Sequence, residues 1–156
     1  MVCVLFNVGD SWYAVRGADV AEIVPQVRCA PVTKAPAFVH GIFRCRGLDV
    51  PVLDVSAMLG RPPCRDCLST RTILVRQDDR HGQPRLLGLL AEKVLETVDI
   101  PETSLNTAVI RTPETMFLGK VFQGPHGVVQ CLRVTELLPA AARTLLFPDD
   151  DAEGAA

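Results

Sequence analysis

The chain predicts an all-β fold of two small five-stranded barrels, and three observations carry that prediction. Apolar residues recur chiefly at period two in short runs, the spacing of strands rather than helices. Between the runs stand Gly, Pro, Asp and Asn clusters that suit tight turns. The order of elements in the first half then returns in the second. Val20-Ala21-Glu22-Ile23-Val24-Pro25 is echoed by Val94-Leu95-Glu96-Thr97-Val98-Asp99-Ile100-Pro101, Phe38-Val39-His40-Gly41-Ile42 by Phe117-Leu118-Gly119-Lys120-Val121, and Val55-Ser56-Ala57-Met58-Leu59 by Val134-Thr135-Glu136-Leu137-Leu138, at offsets of 74 to 79 positions. Offsets that grow while the order holds are what loop insertions between two copies of one unit produce. The echo covers about residues 13–60 and 87–139. Each copy, roughly 70 residues, is about the size of a five-stranded barrel, an architecture that closes its own edges.

Val2, Val4, Phe6 and Val8 alternate along a first strand, and Gly9-Asp10-Ser11 turns the chain into a second at 12–15, giving a hairpin. Residues 20–24 form a third, stopped by Pro25. Pro31 and Pro36 keep the following stretch irregular, because proline brings no donor to a ladder. Gly41 and Gly47 bracket a further strand, with Arg46-Gly47 as the turn into residues 50–55. Pro51 predicts an edge or a strand start for that segment. Ser56-Ala57-Met58-Leu59 makes one helical turn stopped by Gly60. A Pro- and Cys-rich loop, 61–69, precedes strands at 72–75 and 86–90 around a polar turn at 78–84. The last strand is 128–134. Residues 135–146 are the one long helical candidate, with Thr135 as cap, Pro139 in the first turn, and Leu137, Leu138, Ala141 and Leu145 on one side. The folded body is thus 1–146. The acidic stretch 147–156 has nothing to bury and is expected to be disordered.

At 48% hydrophobic and 22% charged, the composition is that of an ordinary globular domain. Sixteen basic residues stand against 18 acidic ones, and Asp149, Asp150, Asp151 and Glu153 leave the rest of the chain close to neutral. No Lys/Arg run marks a nucleic-acid binder or a polybasic anchor. The apolar stretch Leu86-Leu87-Gly88-Leu89-Leu90-Ala91 is far short of the roughly 20 residues that span a bilayer. No basic segment precedes the apolar start, which argues against a signal peptide. The expectation is a cytoplasmic protein with neither nucleic-acid binding nor direct membrane insertion, and its six cysteines are expected to be reduced thiols.

Catalytic machinery is not predicted. His81 and His126 fall in glycine-flanked turns, where solvated side chains are the rule, and His40 has no acidic neighbour to orient it. A nucleophile elbow, a phosphate loop and a dinucleotide fingerprint are all absent, so no cofactor is expected. Cys64-Arg65-Asp66-Cys67 has the spacing of zinc knuckles and of redox pairs. A second such pair is missing and the loop does not open a helix, so Cys64 and Cys67 are weak metal or redox candidates. A metal or redox protein built on them, or a β-barrel module binding unrelated peptides, remains the alternative. Arg46 is carried by a glycine turn in the first copy, whereas Gly124-Pro125-His126-Gly127 in the second has no arginine. An arginine-dependent site therefore belongs to the first copy.

Four motifs in order, Tyr13-Ala14-Val15, Val20-x-Glu22-Ile23-Val24-Pro25, Pro36-x-Phe38-Val39-x-Gly41-Ile42 and Arg46-Gly47-x-x-Val50-Pro51-Val52-Leu53-Asp54, resemble the CheW family of chemotaxis coupling proteins. The resemblance runs from about Val2 to Leu138. It implies two SH3-like barrels sharing a hydrophobic seam, with short helices at their ends and a C-terminal helix. It further implies a non-enzymatic adaptor joining the cytoplasmic tip of a methyl-accepting receptor to the regulatory domain of a CheA-type histidine kinase, within membrane receptor arrays. Carried over by position, receptor and kinase binding falls to Val20, Glu22, Val39, Gly41, Arg46 and Gly47 in a groove between the barrels. Glu22 and Arg46 are expected there as a desolvated charge pair. Two departures, Arg44 where the family usually has Asn and no aspartate near Leu132-Arg133, resemble divergent members that serve alternative chemosensory clusters such as surface sensing.

Overall fold

The computed structural model describes residues 1–78, 81–94, 96–107 and 115–147. Their strands are β1 (Val2–Val8), β2 (Ser11–Arg16), β3 (Val20–Pro25), β4 (Val39–Cys45), β5 (Leu48–Asp54), β6 (Arg71–Arg76), β7 (Leu86–Ala91), β8 (Glu96–Asp99), β9 (Leu118–Gly124) and β10 (Gly127–Leu132). They form two five-stranded sheets, β8-β1-β2-β10-β9 (barrel I) and β3-β6-β7-β5-β4 (barrel II). The all-β class and the strand count per barrel are as the sequence predicts.

Barrel II is one continuous stretch of chain, 20–91, and barrel I joins the strands on either side of it. Neither barrel is therefore one repeat: each takes a hairpin, β1–β2 or β6–β7, from one five-strand repeat and three strands from the other. The connector after β2 accounts for the exchange. Gly17–Asp19 is a 3-10 turn that rises about 6 Å at roughly 2.0 Å per residue, whereas the far flank of β1 lies two strand spacings, about 9.5 Å, from β2. β3 therefore pairs with β6 of the other barrel, and β8 takes the vacant place beside β1. Closure is the same in both. Ala30 and Ile42 exchange two backbone hydrogen bonds of 2.8 Å, tying the chain after β3 to β4, and Asn106 and Val121 do so after β8, also at 2.8 Å.

One apolar cluster joins the barrels. Val4, Phe6, Val8 and Val15 of barrel I pack with Leu53, Ile73, Val75, Leu87 and Leu89 of barrel II. A separate cluster of Cys3, Leu5, Ala14, Phe122, Val129 and Cys131 fills barrel I. Burying each large apolar side chain contributes about 1.5–3 kcal/mol, so the seam dominates the stability. β1 serves both clusters, and Cys3 to Val8 are all buried while Val2 is half exposed. The one-sided alternation expected along β1 is thus replaced by burial on both faces, because β1 is an inner strand between two cores.

Pro51 also departs from expectation, since β5 lies inside its sheet between β7 and β4. It is tolerated because the parallel ladder with β7 begins only at Val52, so no partner there needs an N–H from residue 51. α1 (Val55–Met58) is capped by Asp54, whose Oδ1 accepts from the Ala57 amide at 3.1 Å, and Gly60 follows at φ 76°. The helix expected over 135–146 is shorter. Val134–Glu136 is a 3-10 turn with no side-chain cap, and α2 (Ala140–Leu146) begins only after Pro139. Proline restricts Leu138 and removes a donor, so the helix cannot run through it, and Thr135 caps nothing. Phe147, assigned to the tail from sequence, packs against the shared cluster with the Arg85 guanidinium 3.9 Å above its ring. The rest of that tail, 148–156, lies outside the described residues.

Candidate functional site

The β4–β5 connection is a two-residue turn in which Arg46 and Gly47 both have positive φ, 50° and 81°. That is the type I′ geometry which matches strand twist, and it normally selects Asn-Gly or Gly-Gly. An arginine held there costs roughly 1–2 kcal/mol. Arg44 braces the turn, its Nη2 donating to Gly47 O at 3.3 Å and its Nη1 lying 3.7 Å from Asp49. Arg46 itself reaches across to β3, where its Nη2 meets Glu22 Oε2 at 2.6 Å. Glu22 stands opposite Leu74, on the face that looks into barrel II. The pair therefore links the edge strand β3 to the turn after the other edge strand, β4, across the barrel mouth. Side-chain exposures of 73% for Arg46 and 39% for Glu22 correct the expectation of a desolvated bridge. A pair this wet contributes at most about 1 kcal/mol and leaves the guanidinium open to a partner.

The remaining sequence-predicted residues separate into two groups. Gly41 is buried at φ 154°, and a Cβ there would stand 2.5 Å from Ala30 O and 2.7 Å from Cys29 Cβ. Its work is to let the Ala30–Ile42 bridge close barrel II. Val20 and Val39 are half-buried and pack against the seam. Between the barrels an open groove of about 420 Å³ is lined by Val4, Ile23, Arg71, Val94, Glu96 and Thr97. The structure thus brings Glu22, Arg46 and Gly47 together at a barrel mouth, while other residues line the groove.

A second latch escaped the sequence reading. His126, in the β9–β10 turn, hydrogen-bonds Glu96 Oε1 through Nε2 and stacks on Trp12 at 4.4 Å with the rings 17° apart. Glu96 faces Leu5 in the interior of barrel I, as Glu22 faces Leu74 in barrel II. The echo already aligned Glu22 with Glu96. His126, expected as a solvated side chain in a glycine-flanked turn, instead bonds a carboxylate, as an imidazole can.

The Cys64 and Cys67 thiols have separate partners. The Cys64 amide donates to Asp54 Oδ2 at 2.9 Å and its thiol to Leu90 O at 3.4 Å. Burial, then the Asp54 carboxylate, pushes the Cys64 thiol up to about 12. Cys67 is exposed, and the Thr70 and Ser69 hydroxyls hold it below the usual thiol range. No group of three or more His, Cys, Asp or Glu side chains placed to hold a metal occurs among the described residues.

The family model for the CheW-like domain matches residues 2–142. The chain belongs to the CheW-like domain family. Two relatives, each a chemotaxis protein CheW, are 26% identical over 111 residues in Helicobacter pylori and 29% over 102 residues in Rhizobium meliloti. These alignments cover 71% and 65% of this chain but only 62% and 63% of the relatives' own lengths. The crystal structure of the scaffolding protein TtCheW from Thermoanaerobacter tengcongensis superposes with a TM-score of 0.77 at 24% identity, covering 90% of this chain and 89% of that one. It shares with this CheW-like domain the fold of two SH3-like barrels. Among the described residues no helix is long and apolar enough to cross a membrane.

Proposed function

We propose that this CheW-like domain is a non-catalytic adaptor that couples a methyl-accepting chemoreceptor to a CheA-type histidine kinase, on the cytoplasmic side within receptor arrays. The family match over residues 2–142 carries the proposal. The surface chemistry supports it. The groove between the barrels offers Val4, Ile23 and Val94 as apolar floor, with Arg71 as a charge on its wall, while the Glu96 carboxylate is engaged by His126. Such a surface suits an amphipathic helical hairpin, with apolar anchors giving affinity and a charge setting register. The regulatory domain of the kinase is then left the barrel mouth around Arg46, Gly47 and Glu22, while Val20, Val39 and Gly41 hold that mouth in shape.

The test is reconstitution of receptor in lipid nanodiscs with kinase and labelled ATP. Receptor-controlled phosphorylation of the kinase should appear only when this protein is added, and all three should co-sediment. Kinase output that stays independent of receptor at saturating protein, with no co-sedimentation, would sink the proposal.

A further inference from the structure

The two barrels share one plan, and this makes their differences informative. Asp54 N donates to Phe38 O at 2.7 Å, and Arg133 N donates to Phe117 O at 2.7 Å. Val39 pairs with Leu53 as Leu118 pairs with Leu132. Arg133 is therefore the counterpart of Asp54. By the same register Lys120, before Val121, answers to Gly41, before Ile42.

At the equivalent end of barrel II, the end away from Arg46, the protein supplies its own buried anion. The Asp54 carboxylate sits there and accepts from the Ala57 and Cys64 amides at 3.1 and 2.9 Å. In barrel I a guanidinium replaces the carboxylate, and the mouth stands open as a cavity of about 500 Å³. Arg16, Lys120 and Arg133 line it, from three different parts of the barrel, against one acid, Glu102. Met1 also lines it, but its amine is already held by Asp99 Oδ1 at 2.9 Å and Ile100 O at 2.8 Å. Arg133 keeps only a loose 3.7 Å contact to Glu136, and Arg16 and Lys120 have no ionic partner among the described residues. The Arg133 stem crosses Gly119, where a Cβ would come within 2.9 Å of its Cγ, so glycine makes room for the side chain at the rim. The charge of Arg16 is felt by the Cys3 and Cys131 thiols beneath.

We infer that the mouth of barrel I is a binding site for a small polyvalent anion of the phosphate class, held by Arg16, Lys120 and Arg133. Three cations lining one cavity demand more than one negative charge to neutralise them, and tetrahedral oxygens accept forked donation from guanidinium together with the point charge of an ammonium. Leu105 and Leu132 on the wall give an ester's organic part an apolar surface. The inference does not depend on the adaptor role.

The test is a titration of the full chain, followed by amide NMR, with inorganic phosphate in one arm and glycerol 3-phosphate in the other, at ionic strength held constant with sodium chloride. Saturable shifts confined to the amides around Arg16, Lys120 and Arg133 are expected. The arm that saturates at lower concentration tells free phosphate from ester. The variant Arg16→Gln/Lys120→Gln should lose about tenfold or more in affinity. Both side chains are exposed, and an unchanged melting midpoint in chloride will show that the variant is folded. Shifts that never saturate, that chloride reproduces, or that persist unaltered in the variant would overturn the site. Should the variant melt early, Lys120→Glu alone gives the same reading.

Discussion

Arg46 Nη2 and Glu22 Oε2 lie 2.6 Å apart across the mouth of barrel II, Glu22 on the edge strand β3 and Arg46 in the turn that follows the other edge strand, β4. The contact ties a backbone conformation that disfavours arginine to an ion pair that water weakens. Arg46 is thus more costly to hold than its pairing repays, which is the pattern of a residue kept for what it meets outside the fold.

Substitution separates these contributions. Arg46→Gly removes the pair but relieves the left-handed backbone, so its melting midpoint should equal or exceed that of the parent. Arg46→Ala loses the pair and keeps the strain, and should be less stable by about 1 kcal/mol. Both should lose kinase affinity if the guanidinium is a contact. Urea denaturation beside a binding assay checks the order, and an Arg46→Gly protein less stable than Arg46→Ala would contradict it.

Gly41 carries a different expectation. A methyl group at this residue meets Ala30 O at 2.5 Å, a backbone atom that cannot swing aside. Gly41→Ala should destabilise the fold by about 2–3 kcal/mol and expose the Ala30 and Ile42 amides to hydrogen exchange. Equal protection of those amides in parent and variant would show that closure does not depend on this glycine.

His126→Ala should cost little stability, since the Glu96 partner is 36% exposed and the imidazole 44%. It should nevertheless change the emission of Trp12, the single tryptophan, on which the ring stacks. A midpoint lowered by a few degrees at most, with a clear spectral change, is the expected pair of results. An unaltered spectrum would mean that the stack does not persist in solution.

What the sequence could reveal followed the range of the interactions involved. Period two and turn residues are local, so most strands and the Arg46-Gly47 turn were legible. The hairpin exchange was not, because it turns on whether three residues after Arg16 can cross β1, a question of distance in three dimensions. Pro51 misled for a similar reason, as its meaning depends on where the β7 ladder begins. The Glu22–Arg46 contact followed from the family resemblance, but its exposure did not. Glu96–His126 was within reach of the internal echo. Its partners are 30 residues apart, and only the sheet closure brings them together.

The two loop thiols give the last prediction, in which reactivity and stability move in opposite senses with pH. Thiolate is the species that alkylates, and hydrogen bonding with the Thr70 and Ser69 hydroxyls favours it at Cys67, whereas burial and Asp54 suppress it at Cys64. With Cys64 at about 12, its thiolate fraction at pH 8 is only about 1 in 10,000. Iodoacetamide at pH 8 should therefore label Cys67 well before Cys64, and Thr70→Val should slow Cys67. The stability effect follows from linkage. Below the unfolded thiol's pKa of about 8.5, both states hold the Cys64 proton and the buried thiol's stabilising contribution is intact. As pH rises from there toward 12, the unfolded chain gives up that proton while the native state keeps it, and stability falls. Cys64→Ser retains a donor for Leu90 O but has no group titrating in this window, so its stability should be flatter between pH 8.5 and 11 than the parent's. Peptide mapping by mass spectrometry and chemical denaturation at stepped pH supply both measurements. Equal labelling of the two cysteines, or parallel pH curves for parent and Cys64→Ser, would show that the Asp54–Cys64 contact does not hold the thiol protonated.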